Sequence, residues 1–174
     1  KSQSNKEACT ILLNGKAEPF VNSMNWLPYE YWSMGINRYE ILKTEPLLYN
    51  EQLFKSTGEK PLLAVDDNLN YDNGLYEYTI MAYENLAGNL QTSKSNTIQL
   101  IQLPLLYAPN AYTDNGDGLN DLFKTVPVFV KDYHLQIYNR WGELIFKTNN
   151  IDEGWDGYYK GELQNNDVYA YKVI

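Results

Sequence analysis

The chain has 174 residues, 44% of them apolar, with 16 tyrosines and 4 tryptophans, enough material for one large core or two small ones. A formal net charge of −8 excludes nucleic acid, whose phosphates require a basic stripe, and disfavours anionic lipid for the same reason. An acidic surface favours solubility and weak association with divalent cations.

The chain opens at Lys1 without a signal-peptide pattern, and reads as processed or as part of a longer protein. Cys9 is the single cysteine and permits no internal disulfide; a half-buried thiol and a bridge to a cysteine in a further segment both remain open. Asn14-Gly15 marks a first turn. Tyr29, Tyr31 and Trp32, in Leu27-Pro28-Tyr29-Glu30-Tyr31-Trp32, form an aromatic platform, or else Tyr31 and Trp32 bury against the neighbouring strand. Arg38-Tyr39-Glu40-Ile41 alternates as a strand does. Glu45 to Phe54, with Pro46 near its start, has spacing compatible with a short turn of helix. After Thr57-Gly58, the stretch Asp66-Asp67, Asn68, Asn70 and Asp72-Asn73-Gly74 reads as a solvated loop. Tyr76, Tyr78, Ile80 and Ala82 then share one face of a strand, with Glu77, Thr79, Met81 and Tyr83 on the other. The turn Ala87-Gly88-Asn89 and the strand Thr97-Ile98-Gln99-Leu100 follow. Alternation over short runs, with helical spacing nearly absent, predicts an all-β protein.

No apolar run approaches the roughly 18 to 20 residues that cross a bilayer as a helix. The longest, Ile98 to Tyr107, holds Gln99, Gln102 and Pro104 and reads as strand plus linker. Proline ends the strand before it, so Leu103-Pro104-Leu105 is the expected boundary between domains 1–103 and 104–174. The first resembles a fibronectin type III-like domain. Trp26 stands in an early strand and Tyr39-Glu40-Ile41-Leu42 in a third. Tyr76, Ile80, Ala82 and Asn85 hold the family's tyrosine, core and turn positions, and Ser95-Asn96 precedes the last strand. Tyr76 is expected to bury its ring and bond a nearby backbone group through its hydroxyl, as a tyrosine corner does.

The second domain is punctuated by turns. Pro109-Asn110-Ala111 leads to Asn115-Gly116-Asp117-Gly118-Leu119-Asn120-Asp121 and Phe123. Ile137-Tyr138-Asn139-Arg140-Trp141-Gly142 and Phe146 come next, then Gly154-Trp155-Asp156-Gly157 and Val168-Tyr169. These ordered blocks resemble the gliding motility-associated C-terminal domain, the type B sorting domain of the type IX secretion system. Asp114 and Asp167 replace the family's usual proline and glycine at turn positions that aspartate tolerates. The resemblance implies a β-sandwich, so the expected fold is two tandem immunoglobulin-like or fibronectin-like sandwiches. It also implies a final glycine-led strand beyond Ile174, an extension of roughly ten to twenty residues.

The acidic loop has two readings. Calcium loops place oxygen ligands at alternate positions and glycine at the sixth. Counting from Thr113 puts Asn115, Asp117 and Asp121 at ligand positions and Gly118 at the turn, but leaves Lys124 where a glutamate is wanted. The other reading is a turn whose carboxylates cap backbone N–H groups. Asn139 to Gly142 reads as a hairpin turn, flanked by Leu135 and Ile137 and by Leu144 and Phe146. Arg140 there clamps the hairpin, against Trp141, Trp155 or a carboxylate such as Asp156, or faces a partner. Trp155 plugs the core or serves as a ligand platform. His134, the single histidine, alternates out of phase with Leu135 and faces solvent. It lies far from Cys9, which makes a poor nucleophile–base pair, and Asp66-Asp67 has glycosidase chemistry but sits in a turn-rich stretch.

The resemblance therefore implies a non-enzymatic export and anchoring module of a larger surface protein. Its implied partners are the type IX translocon and an outer-membrane β-barrel that retains the tail. Recognition would fall on the turn residues Asn115 to Gly118, Asn120, Asp121, Asn139 to Gly142 and Trp155 to Gly157. The alternative is an adhesive or carbohydrate-binding module built on the exposed aromatics.

Overall fold

A computed structural model describes residues 11–45, 50–85, 91–113, 116–117 and 119–174. Cys9 and the turn at Ala87-Gly88-Asn89 lie outside the described residues. The chain divides into two compact units, Lys1–Leu103 and Pro104–Ile174, and every described regular element is a strand.

In the N-terminal unit, β1 (Leu13–Glu18), β2 (Val21–Trp26) and β5 (Leu63–Asp66) form one antiparallel sheet in the order β1-β2-β5. The other sheet runs β4 (Asn50–Thr57), β3 (Ile36–Glu45), β6 (Leu75–Glu84) and β7 (Thr92–Lys94). β8 (Ile98–Ile101) pairs the first half of β6, while β7 pairs the second half. The inward phase of each strand supplies the core: Leu13, Met24 and Trp26 from one sheet, Tyr39, Ile41, Tyr76, Tyr78, Ile80 and Ala82 from the other. Trp26 meets Tyr39 edge-on across the sandwich, with ring centroids 5.7 Å apart, in the geometry that aromatic quadrupoles favour. The Tyr76 ring is fully buried and its hydroxyl donates to the carbonyls of Asn70, at 2.6 Å, and Asn73. Thr79 departs from the expected alternation. It is buried, with its hydroxyl 3.0 Å from that of Thr97.

Two expectations change here. Where it is described, the stretch Glu45 to Phe54 is strand: β3 runs through Glu45, and Asn50 to Thr57 pairs back along it in antiparallel register, while residues 46–49 lie outside the described residues. A bulge between Ile41 and Leu42 disrupts the alternation that would have marked a strand. Asp66 is not in a solvated loop either. It lies on the inward phase of β5, with its carboxylate 2.7 Å from the Lys43 ammonium and accepting from the Tyr78 hydroxyl at 2.7 Å; its neighbour Asp67 is exposed. The contact extends inward as a polar spine, in which Asn22 donates to Tyr78 at 3.0 Å and accepts from Gln102 at 2.8 Å. Every buried member has a partner, the condition under which such a network rigidifies a core rather than weakening it.

The C-terminal unit is broken into smaller pieces. β9 (Leu105–Tyr107) pairs β10 (Val126–Val128), and β13 (Tyr158–Tyr159) pairs β14 (Glu162–Leu163). A three-stranded sheet runs β12 (Leu144–Thr148), β11 (Leu135–Tyr138), β15 (Ala170–Val173). Its core is Tyr133, Leu135, Ile137, Ile145 and Trp155, with Tyr112, Phe123, Phe146 and Tyr169 packed around it. The expected inward pair Leu144 and Phe146 is only half-buried. The register steps from Ile137↔Phe146 to Tyr138↔Leu144, and Ile145, the extra residue of this bulge, enters the core instead.

Candidate functional site

The three turn blocks of the C-terminal unit are held by side chains that bond their own backbone. In the first, Asp121 accepts the Gly116 N–H at 3.0 Å and Asp117 accepts the Leu119 N–H at 2.8 Å. Asn120 takes a left-handed conformation (φ 57°), which asparagine tolerates, and its carbonyl accepts from Thr113 at 3.0 Å. Asn115 and Gly118 lie outside the described residues. Lys124, at the twelfth calcium position, is a cation 3.3 Å from Asp152. Among the described residues no group of three or more His, Cys, Asp or Glu is placed to hold a metal.

The second block is the hairpin between β11 and β12. Asn139 Oδ1 accepts the N–H groups of Trp141 and Glu143, both at 3.0 Å, and the Gly142 N–H donates to the Asn139 carbonyl at 2.9 Å. Gly142 has φ 80°, a conformation that costs a residue with a Cβ. Arg140 stands 5.0 Å over the Trp141 ring, as anticipated, but its carboxylate partner is Asp167 at 2.9 Å rather than Asp156. Asp156 is engaged locally, accepting the Tyr158 N–H at 3.0 Å.

The third block packs against the first. Trp155 exchanges backbone hydrogen bonds with Phe123 at 2.8 and 3.0 Å. A Cβ on Gly154 would come within 2.9 Å of Leu122 Cβ and 3.1 Å of the Phe123 carbonyl, so only glycine permits this approach. Gly157 has φ 88°, and a Cβ there would lie 2.8 Å from the Tyr112 hydroxyl. Trp155 is 1% exposed, stacked among Tyr112 and Tyr169, with its indole N–H donating to the Tyr158 carbonyl. It is the centre of the core and not a surface anchor. Trp141, by contrast, is 79% exposed, so the second block presents its indole and guanidinium to solvent while the third is consumed in packing.

Glu143, which no sequence motif marks, ties the hairpin to the chain after Gly157. It accepts from the Tyr159 hydroxyl at 2.9 Å and lies 3.4 Å from the Lys160 ammonium. Tyr159 and Lys160 together hold its carboxyl below the usual range. The hint was its position between Gly142 and Leu144, the first residue of β12. Beside Trp155 lies an aromatic-walled cleft of about 850 Å³, lined among others by Tyr112, Phe123, Tyr169 and Tyr171. His134 is exposed as expected, its ring 2.7 Å from Asn149 Oδ1.

The N-terminal unit carries the aromatic group named from sequence. Tyr29 lies 4.5 Å from Trp32 and 5.7 Å from Tyr31 between ring centroids; Tyr31 is 55% exposed, while Tyr29 and Trp32 are half-buried.

Residues 106–174 match the family model of the CHU_C Type IX secretion signal domain. Among solved structures the chain is similar to pectate lyase PelI from Erwinia chrysanthemi, in complex with tetragalacturonic acid. Identity is 17% and the TM-score 0.43, over 52% of this chain and 28% of that chain. No curated protein matches the chain. The C-terminal unit is a type IX secretion signal domain, a non-catalytic sorting signal that marks an exported protein.

Proposed function

We propose that this chain is the C-terminal export and surface-anchoring module of a larger protein, read by the type IX translocon and retained by an outer-membrane β-barrel partner. The match over residues 106–174 carries the reading. The turn architecture supports it: rigid, self-capped turns present Arg140 and Trp141 outward, and a preorganised arginine–aromatic pair is the kind of anchor on which binding energy concentrates. The N-terminal unit, with its buried Tyr76 corner, serves as a fibronectin-like spacer. The acidic loop acts through its backbone caps, with calcium as the alternative; titration with roughly millimolar calcium that gives neither heat nor a melting shift removes the metal.

The test of sorting is a fluorescent reporter fused ahead of the 174-residue chain, expressed in cells with an intact type IX system and in cells lacking it. Surface reporter in the first and periplasmic retention in the second is the expected result. Equal retention in both sinks the reading.

A second reading rests on the ring group around the exposed Tyr31. Tyr29, Tyr31 and Trp32 together offer apolar faces of the kind on which sugar rings stack, and would make the N-terminal unit a carbohydrate-binding module. A glycan array comparing the chain with Tyr31→Ala decides; binding unchanged by the substitution, or absent from the start, removes this role.

A further inference from the structure

Lys43 on β3 and Asp66 on β5 meet between the two sheets of the N-terminal unit, and their surroundings exceed what an ion pair needs. Nζ lies 2.7 Å from Oδ2; the Asp66 side chain is 0% exposed and that of Lys43 13%. The rings of Tyr76 and Phe54 wall the ammonium, with centroids at 4.8 and 5.9 Å. The Tyr78 hydroxyl donates to the same Oδ2, and Glu45 Oε1 stands 3.9 Å from Nζ. Burial, then the neighbouring Asp66, push the Tyr78 phenol well above its ordinary value, so it remains a proton donor. A small cleft of about 270 Å³, lined by Lys43, Glu45, Phe54 and Asp66 among others, opens beside the pair.

An amine, a carboxyl carbon, a phenol on the carboxyl oxygen and a second carboxylate near the amine are the nucleophile, electrophile, acid and base of an acyl transfer. We propose that Lys43 and Asp66 condense into an intramolecular amide that ties the two sheets covalently. Glu45 takes a proton from the Lys43 ammonium, and the freed amine attacks Asp66 Cγ. The Nζ–Cγ bond forms and the Cγ–Oδ2 bond breaks as Tyr78 supplies a proton to Oδ2. That oxygen leaves as water, holding two of the three protons the ammonium brought, relayed through Glu45 and Tyr78, both of which end as they began. Ammonium plus carboxylate becomes amide plus water, and nothing external is consumed. Two effects favour closure. The partners are already held in contact, which removes the entropic cost of bringing them together, and the product removes two charges from an enclosed site where ions are poorly solvated. The chain's one cysteine offers no internal disulfide; an amide needs no oxidising compartment.

The test is intact mass and peptide mapping of the folded 174-residue chain. The expected result is a mass lower than the sequence mass by one water, and a branched peptide joining Lys43 to Asp66 after digestion. Lys43→Arg keeps a cation opposite Asp66 but no amine, and should return to full mass without the branched peptide. Glu45→Gln should slow closure, on the order of a hundredfold to ten-thousandfold for loss of a general base. A wild-type chain at full mass, cleaved by trypsin after Lys43, overturns the proposal. So does a water loss that persists in Lys43→Arg, since it would then arise from an aspartate elsewhere. Should Lys43→Arg fail to fold, the wild-type digest decides alone.

Discussion

The two units reach order by different means. The N-terminal unit is built on long strands, ten residues each in β3 and β6, whose inward residues meet across two sheets and are joined by a buried polar spine. The C-terminal unit has no strand longer than five residues among those described. Its shape comes from turns that bond themselves and from one enclosed tryptophan. Where strands are long, the sheet dictates the turns; where they are short, the turns dictate the sheet. The second arrangement suits a domain that is read from outside, because its surface is set by local chemistry.

Alkaline titration separates the units most sharply. Burial raises the phenols of Tyr39, Tyr76 and Tyr78, and the bond to Glu40 together with burial raises that of Tyr83, all in the N-terminal unit. A group whose folded pKa is raised stabilises fully below its unfolded value, about 10 for tyrosine, and loses that contribution as pH rises through the folded value. In the C-terminal unit burial, then Asp167, raises the Tyr169 phenol. Raising the pH above about 10 should therefore open the N-terminal unit first, seen as cleavage sites appearing there in pulse proteolysis. Simultaneous opening would erase the contrast.

Trp155→Ala reverses the asymmetry. Emptying the centre of the small core should cost about 3–5 kcal/mol, enough to unfold the C-terminal unit while hydrogen exchange in β3 and β6 stays unchanged. Asn139→Ala removes the acceptor of two turn N–H groups; exposure to water softens the loss to about 1 kcal/mol, read as a shift in the denaturant midpoint of the C-terminal unit alone. A larger loss than for Trp155→Ala would show that the turns outweigh the core. Arg140→Ala should change stability least, by about 0.5 kcal/mol or less, because its pair with Asp167 is solvent-exposed. Its effect belongs in the reporter assay: surface display falling while the melting point holds would mark Arg140 as a contact residue, and display unchanged would leave it a clamp.

All-β character was legible because alternation survives in isolated strands such as Tyr76 to Ala82, whose inward phase the structure keeps. The turn blocks of the C-terminal unit were legible because glycine, asparagine and aspartate recur there in clusters; the lone pair Asn14-Gly15, read as a turn, instead lies within β1 opposite Asn25 and Met24. Three things were hidden. Bulges at Ile41–Leu42 and Ile137–Tyr138 shift the phase by a residue, which turned a strand into an apparent helix start and concealed Ile145. The burial of Asp66 depends on Lys43, Tyr78 and Asn22 arriving from other strands, and no local pattern reports that. The choice of Asp167 over Asp156 by Arg140 is likewise a matter of which loop crosses the hairpin.

Asn96 carries a consequence for the order of assembly. Its side-chain amide accepts the Leu13 N–H at 2.9 Å and donates to the Leu13 carbonyl at 3.0 Å, imitating a strand residue with a single side chain, across 83 positions of chain. Contacts so distant in sequence form late, after the loop between them has been closed. β1 can gather β2 early through its hairpin, yet its outer end stays unfastened until Asn96 arrives. β1 is thus among the last elements of the N-terminal unit to be locked.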